Sequence, residues 1–137
     1  MSDSADLSGK IIGAAIRVHA ELGPGFLESL YEQAVCIELR RDGFQLHRQV
    51  PVPVSYRGEL IGEHRIDLLV EKRIVVELKA IQALEPIHFA TVRSYLKATK
   101  LELGLLLNFA RATLEVKRVG REWHRRTIGS FVESDVS

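Results

Sequence analysis

One cysteine, one tryptophan, one methionine and four prolines are spread over 137 residues, and each scarcity excludes something. Cys36 alone closes no internal disulfide and supplies no four-thiolate zinc site, so the chain is expected in a reducing, cytoplasmic compartment. The first residues, Met1 to Gly9, lack the basic start and apolar stretch of a secretory signal. No apolar run approaches the ~20 residues of a membrane span, which leaves no expectation of a membrane partner. The five histidines show no HExxH spacing, so no zinc centre is expected. Net charge is also lacking: 19 Lys and Arg stand against 18 Asp and Glu. What attracts a polyanion is local patterning, and between residues 111 and 126 six basic residues face two acidic ones.

What is present suits one soluble domain. A hydrophobic fraction of 46% and a charged fraction of 27% are ordinary for a chain that buries its own core. Ile11, Ile12, Ala15, Ile16, Val18, His19 and Leu22 recur at helical steps, with Ser8 as the expected N-cap, and Gly23-Pro24-Gly25 ends that helix. A second helical pattern runs from near Phe26 to Gly43 in a C′ position. The period then drops to two at Val50, Val52, Val54 and Tyr56, and Pro51 and Pro53 mark this strand as an edge. After a turn at Arg57-Gly58-Glu59, residues 64–70 and 74–79 form a hairpin about Glu71-Lys72-Arg73. Pro86 opens a third helix reaching about Thr99, and residues 101–109 and 113–119 close the domain as strands. The domain is expected over residues 8–120, with tails at 1–7 and 121–137.

The hairpin carries the chemistry. A three-residue turn pairs Val70 with Ile74 and, three steps on, sets Asp67 opposite Glu77, while alternation puts Lys79 on the face of Glu77. Two carboxylates facing each other destabilise a sheet unless something compensates. A divalent cation is one compensation and, with a lysine beside it, provides what phosphodiester hydrolysis requires. Pattern alone leaves a second reading open, in which these charges belong to a solvated face and Asp67 pairs with Arg65 or Lys79.

Read together, Gly25-Phe26-Leu27-Glu28-Ser29-Leu30-Tyr31, Gln49-Val50-Pro51-Val52-Pro53-Val54, Asp67, Glu77-Leu78-Lys79 and Tyr95-Leu96-Lys97-Ala98-Thr99 resemble the GxxExxY family of small bacterial proteins, in the PD-(D/E)xK or restriction-endonuclease-like nuclease superfamily. The resemblance runs from about Ile11 to Val119. It implies an α/β (mixed α+β) fold with an αβββαβ core, its mixed sheet flanked by helices, here with an extra N-terminal helix and an extra C-terminal strand. It also implies that Asp67 and Glu77 bind Mg²⁺ or Mn²⁺, that Lys79 is the catalytic lysine and that Glu28 is an auxiliary acid. Gly25, Glu28 and Tyr31 carry the family motif, with Glu28 and Tyr31 expected to face the site together. Where relatives place Gln-xxx-Tyr for substrate positioning, this chain has Thr91 and Tyr95, and threonine lacks the amide's paired contacts. The expected activity is metal-dependent hydrolysis of nucleic acid, DNA first. The alternatives are a binding module that kept the fold without turnover and a protein-interaction domain, with a homodimer allowed in each case.

Overall fold

The computed structural model describes residues 3–121. Its first helix, α1, spans Asp3–Leu22 and starts five residues before the expected N-cap. Ser8 is buried inside the helix, its Oγ donating to the Ala5 carbonyl at 3.0 Å. Leu7 extends the apolar stripe by one turn and enters the core, so residues 3–7 are helix where a tail was expected. Helix α2, Glu28–Arg41, ends as expected: Phe44 donates to the Leu39 carbonyl and Gly43 to that of Arg40.

Five strands follow: β1 Leu46–Tyr56, β2 Glu59–Val70, β3 Ile74–Lys79, then, after helix α3 (Pro86–Thr99), β4 Leu103–Asn108 and β5 Glu115–Gly120. They form one mixed sheet in the order β1-β2-β3-β4-β5, in which only β3 and β4 run parallel, joined by the α3 crossover. The expected element order is met, and β1 with its prolines is the edge. The hairpin register also holds, with Val70 opposite Ile74, Leu69 opposite Val75 and Leu68 opposite Val76. Strand β2 begins five residues earlier than its apolar pattern suggests, because Glu59 to Arg65 pair with β1 while remaining exposed. The outer half of the β1–β2 ribbon therefore projects past β3.

Helices α1 and α2 cover one face, over Leu68, Val70, Val76, Leu78, Leu105 and Leu107. Helix α3 covers the other, over Ile66, Val75, Leu106 and Val119. It lies close because β4 offers no side chain at Gly104, where an added Cβ would stand 2.6 Å from Val92 Cγ1. Among the described residues no helix is long and apolar enough to cross a membrane.

The ribbon changes faces at one point. Leu46 packs with the α1/α2 core and Val50 and Val52 with the α3 core; on β2, Leu68 and Val70 belong to the first core and Ile66 to the second. Residues two apart on a regular strand share a face, so both strands rotate between these positions. The rotation is centred on Gln49, whose φ is +51°, and on Asp67, the residue it would oppose.

Candidate active site

Beyond Leu68 and Val76 the β2–β3 ladder stops, and the expected backbone pairing of Asp67 with Glu77 is not made. A side chain takes over: Asp67 Oδ2 accepts the Leu78 N–H at 2.9 Å. This bond still brings both carboxylates to one place, at the carboxyl end of β3. Glu77 is 6% exposed, and its Oε1 is buried without a hydrogen-bond partner. Lys79 Nζ lies 3.8 Å from Glu77 Oε2. Arg65, the alternative partner for Asp67, turns instead to Glu63 and to the Gln49 carbonyl.

The electrostatics follow from that enclosure. Burial pushes the Glu77 carboxyl up to about 8, with the charge of Asp67 adding to the rise. Burial also pushes Asp67 up to about 6, held back by the Leu78 N–H. Near neutrality the pair retains a proton, since two buried carboxylates side by side cannot both ionise cheaply. A cation at this point would replace that proton and give Glu77 Oε1 the partner it lacks, so the donor set fits a hard divalent ion. Among the described residues no three His, Cys, Asp or Glu form a ready cage.

Glu28 sits exposed in the first turn of α2, and its charge raises the proton affinity of both Asp67 and Glu77. The expectation for Tyr31 is corrected. Its ring is fully buried and stacks on Phe109 with centroids 4.5 Å apart, while its hydroxyl donates to the Gly23 carbonyl at 2.6 Å and accepts the Phe26 N–H. Gly25, with φ +114°, makes the bend that the tyrosine clamps. The Gly–Glu–Tyr motif thus builds the entry to α2, and its glutamate alone bears on the acids.

Helix α3 contributes less than expected. Thr91 Oγ1 donates back to the Ile87 carbonyl of its own helix at 2.9 Å. Tyr95 donates its hydroxyl proton to the Arg65 carbonyl at 3.0 Å, fastening α3 to β2 two residues before Asp67. Burial, followed by the nearby charges of Glu77 and Asp67, moves that phenol far above its ordinary range. His88 caps α3, its Nδ1 accepting the Glu85 N–H at 2.8 Å. In the basic segment Arg121 is bound to Glu102 at 2.6 Å, while Arg125 and Arg126, like Trp123, lie outside the described residues.

Three residues escaped the sequence reading. Glu32, 6% exposed one turn beyond Glu28, bears on Asp67 more strongly than Glu28 does. Its carboxylate receives Arg48 Nε at 3.1 Å and Gln49 Nε2 at 3.2 Å. Buried Asn108 bonds both the N–H and the carbonyl of Ile81, while Phe109 N donates to the Lys79 carbonyl, which fixes the chain leaving Lys79. The signal for Glu32 was its helical spacing from Glu28; Gln49 opened the Gln49–Val54 segment of the family resemblance without any role attached, and Asn108 carried no signal.

A family model described as the PD-(D/E)XK nuclease superfamily matches residues 5–119. No curated protein matches the chain. Among solved structures, one described as "Crystal structure of SSO0001" aligns over 83% of this chain at 16% identity, with a TM-score of 0.47. The alignment spans 65% of that protein, just under two thirds of its length.

Proposed function

Because this chain belongs to the PD-(D/E)XK nuclease superfamily, we propose that it is a divalent-cation-dependent phosphodiesterase acting on nucleic acid, DNA first. The observation that carries this reading is the joining of Asp67 to the Glu77 strand, with Glu77 Oε1 left buried and unpartnered beside Lys79. Asp67 and Glu77 would hold Mg²⁺ or Mn²⁺, and the ion would supply charge to polarise the scissile phosphate and lower the pKa of water so that hydroxide is available as nucleophile. Lys79 sets its ammonium where negative charge grows on the phosphate and orients the water. Glu28, whose charge reaches both acids, would serve as an auxiliary acid that helps hold water or the ion. The Gly25, Glu28 and Tyr31 pattern supports placing the chain in the GxxExxY group of the superfamily.

A second reading has one specific support: Thr91 brings no amide to the cavity and spends its hydroxyl on its own helix. In that reading the protein binds nucleic acid without cutting it. Single-turnover incubation with labelled single-stranded and duplex DNA, in Mn²⁺, in Mg²⁺ and in chelator, separates the two. Cleavage that needs metal and is lost in Asp67→Asn, Glu77→Gln and Lys79→Ala is the expected result. Metal-independent binding with no products would establish the second reading, and no metal uptake by calorimetry would overturn the first.

A further inference from the structure

Beside the acids, the outer half of the β1–β2 ribbon and helix α3 enclose a groove of about 390 Å³. Pro53 and Val54 line it from the ribbon, Ser94, Lys97 and Ala98 from the helix, and His64 from β2. The His64 ring meets Tyr95 edge-on, with centroids 5.7 Å apart at 88°. Tyr95 is the residue bonded to the Arg65 carbonyl, two residues before Asp67, so Tyr95 stands between the groove and the acids.

The charge on the helix side of the groove has one sign. From Pro86 to Thr99 helix α3 contains no acidic residue, while Arg93 and Lys97 stand one turn apart and Lys100 caps the end. A groove with an apolar side and a cationic side has a specific complement. Duplex DNA turns phosphates outward and stacks its base faces inside, so Pro53, Val54 and Ala98 gain little from it. An unpaired strand offers both surfaces: base faces for the apolar side and the His64 ring, and phosphates for Lys97. The volume falls in the range of pockets that hold small ligands, enough for a nucleotide-sized group.

We infer that this groove binds a single-stranded segment of nucleic acid and leads it to the acid pair. The destination of the strand rests on the function proposed above; its binding in the groove does not. Entry past His64 and Tyr95 places the strand beside Asp67, and Lys97 holds a phosphate away from the reacting one.

The test uses the whole protein in chelator, where no hydrolysis occurs. A fluorescein-labelled single strand of about a dozen nucleotides, the scale of single-strand binding sites, is titrated by anisotropy across a range of salt, beside a duplex of the same sequence. Lys97→Glu on the helix and Ser55→Glu on the ribbon place a negative charge in opposite walls, and both positions are exposed. Each should weaken single-strand binding about ten-fold, and Lys97→Glu should flatten the log–log salt slope by about 0.7, one phosphate contact. Melting temperature and Mn²⁺ uptake should not move in either variant. Wild-type affinity in both variants, equal affinity for duplex and single strand, or no single-strand binding by wild type would each overturn the groove. Failure of wild type to take up metal or to cleave would strike the proposed activity and leave the groove standing. Normal binding by the groove variants, in a protein that cleaves, would strike the groove alone.

Discussion

Asp67 accepts the Leu78 N–H where the backbone ladder between their strands has already ended. The acid on β2 is thereby tied to the strand that carries Glu77 by a bond that leaves Glu77 Oε1 unpartnered. The main chain of β3 holds one acid by its side chain and carries the other one residue earlier.

Asp67→Asn keeps an oxygen for Leu78 and removes a charge. Without metal and above about pH 8, where the shared proton is lost, the variant should melt at least as high as wild type, by roughly 1–5 °C, since two buried charges side by side then repel. Saturating Mn²⁺ should reverse the order, because an ion bound only to the folded state adds about 2.7 kcal/mol at a hundred times its dissociation constant. Thermal melts with chelator and with metal read both. A variant that melts lower in chelator, with wild type unmoved by metal, would make Asp67 a structural residue.

The metal-free protein should lose stability as pH rises. Both acids bind protons more tightly folded than unfolded, with folded values of about 6 and 8 against ordinary values of 3.8 and 4.5. Their contribution is therefore full below about pH 4, falls across pH 4 to 8, and is gone above the Glu77 value. Subtracting the melting curve of Glu77→Gln isolates it. The difference between wild type and variant should move against wild type with increasing pH in chelator, and flatten in Mn²⁺. A difference moving the opposite way would contradict the assignment.

Tyr31→Phe should cost about 1–3 kcal/mol by leaving the Gly23 carbonyl and Phe26 N–H without their buried partner. Mn²⁺ affinity of the folded variant should be unchanged. A variant that is fully stable and has lost metal or activity would return Tyr31 to the active site.

Gly104→Ala should destabilise by about 1–3 kcal/mol, because the new methyl meets Val92 at 2.6 Å. Val92→Ala in the same chain should recover part of that loss, a coupling that a double-mutant cycle on denaturation midpoints measures. Additive losses would mean that α3 yields freely and that the close approach does not set its position.

The hairpin register was legible because a three-residue turn leaves one way to count, and alternating apolar residues fix which face each strand buries. That reading holds for Leu68, Leu69 and Val70 and stops at Asp67, where a side-chain bond replaces the ladder. The face change at Gln49 was not legible, because Leu46 and Val50 keep even spacing across it as if they shared a face, and a left-handed φ at a glutamine leaves no trace in composition. The same holds for Ser8: serine is favoured at an N-cap, and only the packing of Leu7 shows that the helix starts earlier. Tyr31 was recognisable as a motif residue, but its direction depends on Phe109, far along the chain.

The face change gives the β1–β2 ribbon the form of a lever with its fulcrum at the acid. Its inner arm is clamped beneath α1 and α2, its outer arm rests on α3, and Gln49 and Asp67 mark the point where the shaft changes faces. The backbone that aims the Asp67 carboxylate is thus the stretch between the two arms, anchored by α1 and α2 on one side and by α3 on the other.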